Sequence, residues 1–258
     1  MKVKENISIA KNIYRLTLET VDNQQNKAYR PVPGQFLHVR ISDSNQPLLR
    51  RPVSIHDYNP EKQETSLIYR LAGQGTSILA VKQAGDYLDV LGPLGNGFAD
   101  PKQQAEDKIV LIGGGVGIPP LYYLAKRLVA SGSRVTVLLG YQSSSEAFLI
   151  EEFTKLTETR IASVDGSIGL KGNVLQLINS GDSWDCFYAV GPKPMLKAIR
   201  DLWIDYPIEG YFSLEERMAC GVGACYGCTV KLTKPDGGTA SKKVCSDGPV
   251  FAFREVEL

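Results

Sequence analysis

Four of the five cysteines in the 258-residue chain crowd toward one end: Cys220, Cys225 and Cys228, then Cys245 after sixteen intervening residues. The spacing C-x4-C-x2-C with a distant fourth cysteine is that of thiolate sets that hold a 2Fe-2S cluster. Three thiolates on one tight loop can cap one face of such a cluster, and a fourth brought by a strand can close the other. Gly221, Gly223 and Gly227 suit that loop, because wrapping inorganic sulfide needs positive φ angles and close backbone N–H groups. Structural zinc also takes four cysteines, but usually from two short-spaced pairs, and a second pair is missing here. Reduced structural thiols are the third reading. Cys186, alone in Asp185-Cys186-Phe187-Tyr188-Ala189-Val190, reads as a small core residue of a buried strand.

A second group of residues has the chemistry to hold phosphate or a ring edge. Arg51-Pro52-Val53-Ser54 offers a guanidinium and a hydroxyl on an extended segment, expected to point to the same face and share one ligand, and Tyr69-Arg70 ends another such segment. Gly73-Gln74-Gly75-Thr76 could hold a pyrophosphate on N–H groups that lead into the next element, Ser77 to Lys82. A surface ion pair and a plain turn explain the same residues. Gly113 to Pro120, GGGVGIPP, lies between a strand and a helix, where a nucleotide approaches backbone, although Ile118 breaks the G-x-G-x-x-G pattern. Gly191-Pro192-Lys193-Pro194-Met195 is placed similarly, or simply starts a helix with proline in its first turn. The two histidines are His38 and His56, and no acid-base constellation for substrate chemistry is apparent. For His56, which follows Arg51 to Ser54, a structural or solvent-facing role is favoured over a ligand contact.

These groups need a scaffold, and the chain changes texture along its length. Up to about Ala99, strand-length runs at Ile13 to Leu18, Gln35 to Ile41, Thr65 to Leu71 and Tyr87 to Leu91 alternate with turn residues, as does the strand-like start Met1 to Ala10. That spacing predicts an all-β domain, a small antiparallel β-barrel or sandwich. Beyond Asp100-Pro101 the strands Lys108 to Ile112, Arg134 to Gly140, Thr159 to Val164 and Cys186 to Val190 alternate with helices over Pro119 to Val129, Ser145 to Leu156, Val174 to Ile178 and Pro194 to Trp203. Such alternation predicts a doubly wound parallel sheet. Three units are therefore expected: a β-barrel over 1–100, an α/β domain over 101–208 and a small cysteine-bearing segment over 209–258.

Composition narrows the classes. Apolar residues make up 43% and charged residues 22%, the balance of a compact globular protein. The net charge is +1 with no long basic run, which gives no footprint for nucleic acid. The longest apolar stretches, such as Ile109 to Ile112, are far too short to span a bilayer, and the first residues lack the apolar run of a secretion signal. A cytoplasmic location and no membrane association are expected, and clustered cysteines in that reducing compartment point to a metal rather than to disulfides.

Taken in order, PGQF at Pro33 to Phe36, RPVS at Arg51 to Ser54, GPLGNGF at Gly92 to Phe98, GGGVGIPP and GPKPM resemble the ferredoxin reductase superfamily over nearly the whole chain. With the cysteine loop after them, the chain is similar to the electron-transfer subunits of dihydroorotate dehydrogenase B. The resemblance implies that the barrel binds FAD through Arg51, Pro52, Val53, Ser54, Ile68, Tyr69, Arg70, Gly75 and Thr76, and that Cys220, Cys225, Cys228 and Cys245 hold a 2Fe-2S cluster. It implies that the α/β domain receives NAD, a preference that Gly140-Tyr141-Gln142, with no arginine for a 2'-phosphate, favours. It also implies an FMN-containing catalytic partner in a heterotetramer of two chains of each kind, and electron flow from dihydroorotate to NAD+ in pyrimidine biosynthesis. Many superfamily members cover the flavin with a terminal aromatic residue, whereas this sequence closes on Glu255-Val256-Glu257-Leu258, so another group is expected to shield it. The alternatives are the reductase subunit of another NAD(P)H-dependent flavin and iron-sulfur complex, a zinc-stabilised binding module, and a stand-alone flavin reductase.

Overall fold

The computed structural model describes residues 1–21, 29–42, 46–98, 107–234 and 236–258. The domain junction expected at Asp100-Pro101 lies outside the described residues.

The first unit comprises β1 (Lys2–Ala10), β2 (Ile13–Glu19), β3 (Phe36–Val39), β4 (Arg51–Asn59), β5 (Glu64–Arg70), the short helix α1 (Gln74–Ala80) and β6 (Val90–Leu94). The strands form one antiparallel sheet in the order β1-β2-β5-β4-β3-β6. Its two edges meet where Val3 N–H donates to the Asp86 carbonyl at 2.8 Å and Leu88 N–H to the Met1 carbonyl at 2.9 Å, which closes the sheet into the expected barrel. Period-two alternation sets the two faces. Leu37, Val39, Val53, Ile55, Leu67 and Tyr69 fill the barrel core. Their neighbours Phe36 and Ile68 turn outward and join the cores of the rest of the chain. The strand expected at Tyr87 to Leu91 starts later, at Val90, because Tyr87 and Leu88 pair with the N-terminal edge instead.

The remaining elements are β7 (Lys108–Gly114), α2 (Pro119–Ala130), β8 (Arg134–Tyr141), α3 (Ile150–Leu156), β9 (Glu158–Ser163), β10 (Leu170–Lys171), β11 (Cys186–Val190), α4 (Lys193–Trp203), β12 (Glu209–Ser213), β13 (Thr229–Thr233), β14 (Thr239–Lys243) and β15 (Val250–Ala252). Seven strands form the second sheet in the order β10-β9-β8-β7-β11-β12-β15, parallel except for β15. β7 and β11 are buried almost throughout, as strands covered on both faces must be. Ile109 and Leu111 pack on one face with Leu121 of α2 and Phe153 of α3, and Val110 and Ile112 on the other with Leu196 and Trp203 of α4. This is the doubly wound arrangement that the sequence predicts.

Two helices fall short of expectation. Over Ser145 to Leu156 the chain makes a 3-10 turn at Ser144–Glu146 and begins α3 only at Ile150, because Leu149 takes a left-handed φ of 61° while Phe148 and Leu149 insert into the core. Val174–Leu177 is a single 3-10 turn, capped by reciprocal hydrogen bonds between Asn173 and Gln176. The cysteine-bearing segment is woven into the second sheet. Its first strand, β12, pairs with β11, β15 adds the antiparallel edge, and Cys228, Val244 and Cys245 share a core with Phe36 of the barrel and Phe212 of the sheet. No helix among the described residues is long and apolar enough to cross a membrane.

Candidate functional site

The switch point of the second sheet lies between β7 and β11, where chain order reverses and ligands of open α/β sheets bind at the carboxyl ends of the strands. A cleft of about 480 Å³ opens there, lined by Gly114 to Gly117, Gly140 to Gln142, Asn173, Gly191, Pro192 and Met195. Both glycine-rich motifs thus meet in one place. β7 carries the first through Gly114, and Pro192 caps α4 at the second.

A second cleft, of about 240 Å³, lies between the barrel and β12, and its lining includes Arg51, Pro52, Val53, Ser54, Ile68, Tyr69, Arg70 and Thr76. Eight of the nine residues expected at the flavin are therefore together, and the ninth, Gly75, lies directly behind Arg51. A Cβ on Gly75 would stand 2.8 Å from Arg51 Nε and 3.0 Å from its Nη2, so the missing side chain makes the space in which the guanidinium rests. Arg51 Nη1 donates to the Leu49 carbonyl at 2.7 Å, and Thr76 Oγ1 accepts from Ala72 N–H at 2.7 Å, which fixes the loop leading into α1. Arg51 and Ser54, three apart on β4, take opposite faces of the strand, contrary to the single face expected; they meet at the same cleft because it wraps the barrel rim.

Val53 and Tyr69 line the cleft and also serve the barrel. Both side chains belong to the barrel core, and the Tyr69 hydroxyl donates to Asn6 Oδ1 at 3.1 Å, burial raising its pKa to about 12. His56 is absent from the cleft. Its Nδ1 donates to the Pro119 carbonyl at 3.1 Å and its ring stacks on Tyr122, so it ties the barrel to α2; burial lowers its pKa to about 4.

The two clefts abut, for Arg70, Val116 and Glu215 line both. Arg70 Nη1 pairs with Glu146 Oε2 at 3.0 Å and so spans the two units at this junction. Glu215 stands open to solvent across the cleft yet is crowded by protein, and this desolvation raises its carboxyl above the usual range. Val116 belongs to the glycine-rich motif singled out in the sequence, whereas sequence reasoning missed Glu215 and the far wall of the flavin-side cleft, made by Ser213, Leu214, Glu216, Met218 and Pro249. The position of Glu215, just past the carboxyl end of a parallel strand, was the available signal. That wall carries no aromatic side chain among the described residues.

The wall runs straight on to Cys220. Gly221, Gly223 and Tyr226 take positive φ angles of 73°, 81° and 59°, which curl the loop and point its N–H groups inward. Cys225 N–H approaches Cys220 Sγ at 3.4 Å, Gly223 N–H approaches Cys245 Sγ at 3.2 Å and Cys245 N–H approaches Cys228 Sγ at 3.4 Å. The N–H groups of Val222 and Cys225 pull the Cys220 thiol down to about 6, whereas burial, with Cys228 alongside, pushes the Cys245 thiol up to about 11. Among the described residues, no three His, Cys, Asp or Glu side chains converge as they would around a single ion. Backbone N–H groups reach three of the four clustered sulfurs. Cys186 stands apart in β11, its thiol raised to about 12 by burial, as a core residue would be.

Comparison with known proteins agrees with this geometry. A sequence model described as the iron-sulfur cluster binding domain of dihydroorotate dehydrogenase B matches residues 215–257. Relatives from Bacillus cereus (strain G9842) and Bacillus anthracis (strain CDC 684 / NRRL 3495), both named dihydroorotate dehydrogenase B (NAD(+)), electron transfer subunit, are 46% identical over 252 residues, covering 97% of this chain and 95% of theirs. Among solved structures, one described as an NADH-dependent reduced ferredoxin-NADP oxidoreductase, studied for flavin-based electron bifurcation, superposes with a TM-score of 0.84 at 29% identity, covering 99% of this chain and 89% of the other. A ferredoxin reductase of carbazole 1,9a-dioxygenase shares the fold, with a TM-score of 0.64 at 16% identity over 80% of this chain and 65% of the other.

Proposed function

The chain belongs to the electron transfer subunits of dihydroorotate dehydrogenase B (NAD(+)), and from that premise we propose that its three sites form one relay, in which electrons taken from dihydroorotate on a catalytic partner pass through a 2Fe-2S cluster and FAD to NAD+. The observation that carries this reading is contiguity. The nucleotide cleft and the flavin cleft share Arg70, Val116 and Glu215, and the far wall of the flavin cleft leads within two residues of Met218 to the first cysteine.

In this reading Arg51, Pro52, Val53, Ser54, Ile68, Tyr69, Arg70, Gly75 and Thr76 hold FAD. Arg51 and Arg70 supply cationic forks suited to phosphate and ring oxygens. Val53, Ile68 and Tyr69 offer extended backbone, and Leu214 with Met218 excludes water from the opposite side. Cys220, Cys225, Cys228 and Cys245 hold the cluster, with the loop N–H groups directed at three of the sulfurs. Bound FAD supplies the conversion between the two-electron chemistry of nicotinamide and the one-electron chemistry of an iron-sulfur cluster. The dinucleotide lies along Gly114 to Gly117 and Gly191-Pro192, its nicotinamide toward Val116 and Glu215.

We divide the chain into a flavin barrel over 1–100, a nucleotide domain over 101–208 and a cluster segment over 209–258, with β12 and β15 of the last serving the second sheet. The catalytic partner carries FMN and forms orotate, and two chains of each kind assemble in the cytoplasm. The reading draws support from the family and from the lack of any acid-base constellation in this chain suited to dihydroorotate itself. Anaerobic purification of the chain tests it: one FAD, two irons and two sulfides per chain are expected, with both centres reduced by NADH. Tightly bound zinc and a colourless protein would overturn it.

A further inference from the structure

His38 is fully buried, yet neither ring nitrogen makes a well-formed hydrogen bond, the backbone of Arg50 and of Cys220 offering only loose partners. A buried imidazole with only loose partners costs desolvation that a core Leu would avoid. Its place in the fold indicates what it serves. β3 holds His38 directly opposite Pro52 of β4, and residues directly opposite on paired strands share a face, so the imidazole lies beside a residue that lines the flavin cleft. That face is the outer one, since Leu37 and Val39 on either side enter the barrel core. On its other side the ring meets the cysteine loop. A Cβ on Gly221 would fall 2.4 Å from His38 Nδ1, and the ring nitrogens lie against the backbone of Arg50 and of Cys220. Gly221 is thus bare both because its φ is positive and because His38 occupies the space.

We propose that His38 is a positioning residue for the electron route: its ring is the layer between the cysteine loop and the flavin cleft, and its N–H is a donor held ready for the Cys220–Gly221 turn, favouring the reduced state of the cluster bound there. This rests on the reading of the cysteines as cluster ligands. The physical reason is that a fixed N–H dipole aimed at a loop carrying thiolates stabilises added negative charge, as hydrogen bonds near cluster sulfurs do. The imidazole also fills the gap that water would otherwise enter between the two centres.

The test compares the purified, cofactor-loaded chain with His38→Leu, which keeps most of the volume but removes the donor, and His38→Asn, whose side-chain N–H₂ reaches the place of Nδ1. Iron, sulfide and FAD contents are measured first, then the cluster's potential by EPR-monitored titration and the flavin's by absorbance. His38→Leu is expected to shift the reduced-to-oxidised ratio of the cluster about tenfold toward oxidised, which is ~59 mV for one electron. His38→Asn is expected to restore most of that shift, and the flavin potential to stay within a twofold ratio in both variants. A fully loaded His38→Leu protein with the native cluster potential would overturn the proposal, as would a shift that Asn leaves uncorrected. Loss of cluster from His38→Leu with full loading in His38→Asn supports the positioning role. Loss from both, with FAD retained, would reduce the residue to packing and overturn it. A native chain without any cluster would instead refute the underlying reading of the cysteines.

Discussion

Replacing Gly75 by Ala separates ligand binding from folding, because the structure predicts opposite signs for the two. Gly75 is in α1 with no positive φ, so alanine is conformationally welcome and, as the better helix former, should add up to about 1 kcal/mol of stability. The new Cβ would, however, stand 2.8 Å from Arg51 Nε and 3.1 Å from its Cζ. The guanidinium must withdraw by roughly 0.6 Å or swing away before ordinary contact is restored. Arg51 already spends Nη1 on the Leu49 carbonyl, so the displaced group is the one left for the ligand. Losing one charge-assisted hydrogen bond to an anionic oxygen costs about 1.5–3 kcal/mol, or roughly 10- to 100-fold in FAD affinity. Fluorescence titration of the apoprotein with FAD reads the affinity, and urea unfolding of the same apoprotein reads the stability. Gly181→Ala, where a Cβ meets nothing within 4 Å, is the control. Native FAD affinity in Gly75→Ala would refute the assignment of Arg51, and a large loss of stability would refute the account of α1.

Three further outcomes follow from the same geometry. His56 has a folded pKa of about 4 against an ordinary 6.5, so the neutral ring contributes fully above pH 6.5 and the contribution is lost as pH falls toward 4; about 2 kcal/mol should vanish between pH 7 and pH 5 in urea unfolding, a slope that His56→Gln should remove and whose persistence there would contradict the assignment. Cys225→Ser should abolish the cluster's visible absorbance and EPR signal while Cys186→Ser leaves both intact, and the reverse pattern would displace Cys225 from the ligand set. Desolvation by the cleft walls raises the Glu215 carboxyl above the usual range, so its charged form carries a cost that lessens as pH falls through its pKa. Glu215→Gln should therefore raise Tm more at pH 7.5 than at pH 5, and should slow flavin reduction by NADH; an equal change of Tm at both pH values would contradict the burial argument.

The barrel and the doubly wound sheet were legible in the sequence, whereas the contacts that join them were not. The cysteine spacing, and the charges of Arg51 and Arg70, are patterns that local reading can find. β7 and β11 were equally clear, because strands covered on both faces are apolar throughout. What escaped was contributed by contacts distant in sequence. Glu215 is an ordinary acidic residue until β12 joins the sheet and carries it to the junction of two clefts. The helix expected from Ser145 failed because burial of Phe148 and Leu149 outweighed helical propensity, the tertiary override that periodicity cannot register. His38 looked inert in sequence because its neighbour Gly221 lies 183 positions away, and only the fold brings the ring against that turn.

The relay itself is tested most directly by dihydroorotate-dependent NADH formation, measured anaerobically with this chain copurified with the subunit it captures from its own cells. The account predicts that the complex forms NADH and orotate in equal amounts, that the chain alone does neither, and that the complex built on Cys225→Ser retains FAD and diaphorase activity while losing NADH formation from dihydroorotate. A complex that reduces dyes with NADH but ignores dihydroorotate, or one that remains active without the cluster, would contradict it.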